Sequence, residues 1–134
     1  MENNKLIKTF INKNNKFAIV GVSRDITKYG RIIYEKLKKL NYKVYGINPN
    51  IKFINEDKIY NQLSEIKDID VVIFVVHPEI VKKYLNECKK LKINKIWLQP
   101  GSESPDIIQF CKENNIDCLF NQCIILNSQE EKND

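Results

Sequence analysis

Apolar residues in this chain fall into short unbroken runs, with amphipathic stretches between them. Phe17-Ala18-Ile19-Val20-Gly21-Val22 and Val71-Val72-Ile73-Phe74-Val75-Val76 are too short for helices of their own. Continuous apolar runs of this length predict strands buried on both faces, as inside a parallel sheet. Three further strands are predicted at 43–47, 95–99 and, shorter, 117–120, while Lys58-Ile59-Tyr60 reads as extended chain crossing the surface. Between the strands the apolar spacing becomes helical. Residues 3–13 carry Leu6, Ile7, Phe10 and Ile11, and residues 29–40 carry Ile32, Ile33, Leu37 and Leu40. Pro78 opens a predicted helix to about residue 91, at a position where proline is tolerated. Residues 104–114 read as a further helix, 62–66 as one helical turn, and 129–134 as a polar, frayed tail.

Strands alternating with helices, with the strands nearly continuously apolar, predict an α/β domain: a Rossmann-like, open, mostly parallel five-stranded sheet with helices on both faces. At 134 residues the chain fits a single domain, 1–134, in which 1–16 supply an N-terminal helix and turn.

Charge changes this picture little. The net charge of +5 comes from lysines spread along the whole chain, without an arginine cluster or a nucleic-acid-binding motif. A solvated surface explains them, so no nucleic-acid partner is expected. No apolar run approaches the ~20 residues of a membrane span, and no secretory core is seen near the start, so a cytoplasmic protein is expected. Cys88, Cys111, Cys118 and Cys123 form no C-x-x-C pair and His77 is distant in sequence, which favours free thiols over a metal site.

In open parallel sheets, ligands lie beyond the carboxyl ends of the strands. Those ends carry Gly21-Val22-Ser23, Asn48-Pro49, His77-Pro78, Gln99-Pro100-Gly101 and Asn121-Gln122-Cys123. The first is a small-residue bend between a buried strand and a helix start. First-turn N–H groups lack partners within a helix, so such a bend can cradle an anion, and a nucleotide phosphate is the expected occupant. An NAD fold typically has G-x-G-x-x-G after its first strand and an acid at the end of its second. Here only Gly30 follows Gly21-Val22-Ser23, and the second strand ends in Asn48-Pro49 with Lys52 nearby. That combination favours a nucleotide phosphorylated on its ribose over one with a free diol. No paired acid or nucleophile accompanies His77, so no catalytic residue is assigned.

The segments IVGVSRD, VYGINPN, DVVIFVVHPE, IWLQPGS and LFNQC, in this order and spacing, resemble the small CoA-binding proteins of bacteria and archaea. Their domain is shared with the N-terminal part of the succinyl-CoA synthetase alpha subunit. The resemblance spans roughly residues 17–123 and implies coenzyme A, or an acyl-CoA, as ligand. It implies that Gly21, Val22 and Ser23 wrap the pyrophosphate, with Arg24 and Lys28 as charge contacts and Tyr29 and Gly30 starting the helix that points at it. It sets Asn48 and Pro49 against the adenosine and His77 and Pro78 beside adenine or pantetheine. Gln99, Gly101, Asn121 and Cys123 border the pantetheine exit. The family often has a lysine where this chain has Asn50, so Lys52 is expected to meet the 3′-phosphate. It often has arginine where this chain has Gln122. A non-catalytic CoA-binding protein is the first reading. An NAD(P)-binding or acyl-CoA-handling enzyme subunit completed by a partner domain is the alternative, and a ligand-free module is a third. A protein partner or a homo-oligomer stays open. Valine at Gly21 is expected to abolish binding and leave the fold largely intact.

Overall fold

The computed structural model describes residues 2–133, with side chains described for residues 4–128. Seven strands form one sheet in the order β3-β4-β2-β1-β5-β6-β7. They are β1 (Lys16–Val20), β2 (Lys43–Ile47), β3 (Phe53–Ile54), β4 (Asp57–Tyr60), β5 (Val71–Phe74), β6 (Lys95–Leu98) and β7 (Asp117–Leu119). The helices are α1 (Glu2–Phe10), α2 (Tyr29–Lys39), α3 (Pro78–Lys90), α4 (Pro105–Glu113) and α5 (Ile124–Asn133). A 3-10 turn covers Leu63–Glu65.

All five expected strands form, but the sheet has seven. The stretch expected to cross the surface as extended chain folds into a short hairpin, β3 antiparallel to β4, and β4 joins the sheet parallel to β2. Counted along the chain, the parallel strands β1, β2, β4, β5, β6 and β7 are strands one to six, so the sheet reads 3-2-1-4-5-6. That is the order of a doubly wound sheet, and it reverses between β1 and β5. α5 was not expected. The frayed tail expected at 129–134 falls on residues whose side chains lie outside those described.

Alternation along β1 shows why both faces are buried. Phe17 and Ile19 point into a core with Phe10, Ile33, Leu37, Trp97 and Ile124, contributed in part by α1, α2 and α5. Ala18 and Val20 point into a second core with Val81, Leu85, Ile107 and Cys111 from α3 and α4. Phe10, Phe17, Trp97 and Phe74 are all fully buried. Each such side chain contributes about 1.5–3 kcal/mol. Among the described residues the ion pairs, Arg31–Glu35, Lys38–Asp57 and Lys82 with Glu79 and Asp106, each involve a partner at least 44% exposed. Pairs of that kind are worth about 0–1 kcal/mol, so the two cores hold the fold.

Trp97 ties the layers together. Its ring meets Phe10 edge-on at 5.9 Å, and its Nε1 donates to the Gln122 carbonyl at 2.9 Å, fixing the turn before α5. Phe10→Ala is therefore expected to lower unfolding free energy by about 3–5 kcal/mol, read from urea denaturation followed by Trp97 fluorescence. A loss under about 1 kcal/mol would mean that α1 is dispensable to the core.

Candidate functional site

The bend after β1 is a close contact of two backbones. Gly21 has φ +111°, and a Cβ there would sit 2.5 Å from the Val75 carbonyl oxygen and 2.7 Å from Val76 Cγ1. A Cβ on Gly30, in the first turn of α2, would fall 2.0 Å from the Gly21 carbonyl oxygen. Backbone cannot move aside as a side-chain tip can, so both glycines are needed for α2 to start against the end of β1. This corrects the expectation for valine at Gly21: it would push β1 and β5 apart at the bend, so the fold would not be left intact.

Loop bonds hold the bend open. Asn48 Nδ2 donates to the Val22 carbonyl at 2.8 Å, tying the end of β2 to it. Arg31, almost fully buried, donates to the Ser23 and Arg24 carbonyls at 3.4 and 3.0 Å and pairs with Glu35. Ser23 Oγ accepts from the Asp25 N–H, and Asp25 accepts from Thr27, a bond that holds its carboxyl below the usual range. Carbonyls are thus engaged, whereas the N–H groups of Ser23, Arg24, Tyr29 and Gly30 meet no acceptor among the described residues. α2 follows Lys28, which supplies no side-chain cap, and has no acid in its first turn. α3 is capped by His77 and carries Glu79, and α4 is capped by Ser104 and carries Asp106. The amide-rich, acid-free start of α2 suits an anion.

Gly21 opens onto a cleft of about 380 Å³, so the bend faces a hollow. Asn48 and Pro49 line it, together with Val20, Ile47, Asn50 and Val76. Ile80, Lys83 and Tyr84 of α3 complete it and were missed from sequence. Their signal was a helical i, i+3, i+4 stripe left partly exposed, on a helix that starts at the rim. The other expected residues are spread more widely. Val22 is in the core. Arg24 donates to the Phe53 carbonyl at 3.3 Å and lines a separate hollow with Arg31. Lys52 lines a third, with Phe53, Lys58 and Glu65. His77 is exposed, its Nδ1 accepting from the Glu79 N–H, and Pro78 is the first residue of α3. Gly101 is exposed at φ +98° and Asn121 is exposed at φ +61°.

At the far end of the rim, Tyr29, Gln99 and Cys123 meet. The Cys123 sulfur is 2.9 Å from Tyr29 Oη and 3.7 Å from Gln99 Nε2, while Gln99 Oε1 accepts from the Ile124 N–H at 2.9 Å. Burial works to raise the Cys123 pKa. Hydrogen bonds from Tyr29, Gln99 and the Ile125 and Leu126 amides outweigh it, and the thiol ends below its usual range. The Tyr29 phenol is pushed up to about 12, first by donating to that sulfur and then by burial. By contrast Cys88 is pushed up to about 12 by burial. All four cysteines are free, and no metal-ligating group of three is found among the described residues.

A depressed Cys123 pKa means thiolate persists to lower pH. Tyr29→Phe removes a bond to that thiolate, so the midpoint of the alkylation pH profile should move up. Iodoacetamide labelling of Cys123 at neutral pH should then slow; an unchanged profile would show that Tyr29 does not support the thiolate.

Comparison with known proteins bears on this arrangement. A CoA binding domain model matches residues 15–129. An acetate–CoA ligase (ADP-forming) of Methanocaldococcus jannaschii is 37% identical over 82 residues, 60% of this chain but 12% of that enzyme. The chain thus spans about an eighth of that relative. A conserved hypothetical protein of Pyrococcus furiosus superposes with TM-score 0.81 at 35% identity, covering 84% of this chain and 98% of the other. The dinucleotide-forming acetyl-coenzyme A synthetase 1 of Ca. Korarchaeum cryptofilum, in complex with phosphate and ADP, shares the fold: TM-score 0.69, 24% identity, 87% of this chain and 27% of that one. With the family model covering all seven strands, this chain belongs to the CoA binding domain family.

Proposed function

We propose that this Rossmann-like domain is a cytoplasmic, non-catalytic binder of coenzyme A or an acyl-CoA. The observation that carries the reading is the glycine bend: acceptor-free amides at the start of α2 beside a largely apolar cleft. The residues fit the group. Ser23 and the first-turn amides of α2 would hold the pyrophosphate, with Lys28 adding charge. Val20, Ile47, Pro49, Val76 and Ile80 offer an apolar bed for adenine beside Asn48. The pantetheine arm would run along the rim past His77, Pro78 and Gly101 toward Gln99, Asn121 and Cys123. A helix start contributes only about 0.3–1 kcal/mol per charge, so burial of the adenosine must supply most of the affinity. An NAD-type diol is disfavoured because Asn48-Pro49, and no carboxylate, ends β2.

One observation favours a second reading. The M. jannaschii relative is an acetate–CoA ligase of which this chain covers only 12%. A chain of this kind could serve as the CoA-holding subunit of a larger acyl-CoA enzyme, with a partner providing the chemistry. Among the described residues no helix is long and apolar enough to cross a membrane.

Thermal unfolding with CoA, acetyl-CoA, NAD or ATP tests the reading, alongside mass analysis of what heat releases from the purified protein. At a hundred times Kd, a ligand adds about 2.7 kcal/mol, a Tm rise of roughly 10 °C for a domain of this size. CoA or acetyl-CoA should produce it and NAD should not. Stabilisation by NAD with none by CoA would sink the assignment.

A further inference from the structure

We propose that Lys83, on α3, reads the ribose 3′-phosphate of CoA and sets the preference for CoA over dephospho-CoA; this rests on the coenzyme reading above. Among the residues lining the 380 Å³ cleft, Lys83 is the one cationic side chain. It shares that lining with Asn48, Pro49 and Asn50 at the end of β2, and Asn50 supplies no positive charge there. Lys83 also borders an adjoining hollow of about 520 Å³, with Asn61, Ser64, Glu87 and Lys90, and is itself exposed, so it stands at the mouth of the cleft. A phosphate on an adenosine seated in the cleft would project to such a mouth, since a dianion stays near water while the base is buried.

Its neighbours leave Lys83 available. Lys82, the next residue, is bound to Glu79 at 3.2 Å and Asp106 at 3.3 Å, linking α3 to α4. Glu87, one turn beyond Lys83 and the natural i, i+4 partner, spends its two oxygens on the Leu63 and Ser64 amides, each at 3.1 Å. Among the described residues Lys83 has neither ion pair nor side-chain hydrogen bond. Lys52 lines a different hollow, on the hairpin side of Pro49 and Asn50. A flexible ammonium with no ion pair among the described residues suits a phosphate, which it meets as a compact point charge.

Isothermal titration of CoA and dephospho-CoA into the full chain, Lys83→Met and Lys52→Met tests this. Methionine keeps the stem and the helix propensity, so the exposed site should fold normally. Losing a charge-assisted bond should weaken CoA binding roughly tenfold in Lys83→Met. Dephospho-CoA should stay within about twofold, and Lys52→Met should leave the ratio of the two affinities unchanged. If Lys83→Met weakens both ligands equally, or if Lys52→Met abolishes the preference instead, the lysine assignment is overturned and the coenzyme reading stands. Equal binding of both ligands by the unaltered protein also overturns it. Binding of neither overturns the coenzyme reading and this proposal together.

Discussion

The arrangement at the rim depends on the contact between the Gly21 carbonyl and the Gly30 backbone. A hypothetical Cβ 2.0 Å from that oxygen means that α2 starts closer to β1 than any side chain permits. The closeness does two things. It brings the first-turn amides of α2 to the end of the central strand, where the sheet order reverses. It also leaves no room for a side chain at Gly30. A Cβ on Gly21 would meet the Val75 carbonyl, just past β5, in the same way, so the bend is held between the start of α2 and the end of β5.

Around that contact, hydrogen bonds divide the rim into roles. The Val22, Ser23 and Arg24 carbonyls are held by Asn48 and Arg31, while the N–H groups of Ser23, Arg24, Tyr29 and Gly30 meet no acceptor among the described residues. The acids of the neighbouring helix starts are engaged with Lys82, which keeps negative charge away from the cleft and on the α3–α4 side. At the opposite end the start of α5, together with Tyr29 and Gln99, stabilises a thiolate at Cys123. The rim thus runs from the Cys123 thiol, past the glycine bend, to a largely apolar cleft.

Much of the fold was legible in the residues because parallel strands announce themselves. Val71–Phe74 is apolar at every position, since helices cover both faces, and no other element of that length shows this pattern. The hairpin Phe53–Tyr60 was not legible. Only Ile54 and Ile59 are buried there, and its place beside β2 depends on a parallel pairing of Gly46 with Ile59 that no local pattern specifies. α5 was missed for a similar reason: among its residues with described side chains, the buried ones, Ile124 and Ser128, are one turn apart and give little periodicity.

The sequence by itself determined the glycine bend, the apolar strands and the polar residues that end them, because each of these is a local requirement of backbone conformation or burial. Tertiary structure decided which of the polar residues share a cavity. Arg24, Lys28 and Lys52 were the phosphate contacts expected from the sequence, and Lys83 was not among them, because in a lysine-rich chain nothing beside it in the sequence singles it out. Arg24 is bonded to the hairpin, Lys52 lines a hollow behind it, and Lys83 lines the cleft while Glu87, its neighbour one turn on, is engaged by the turn at Leu63. That competition is among groups more than twenty residues apart, so it exists only once the chain has packed.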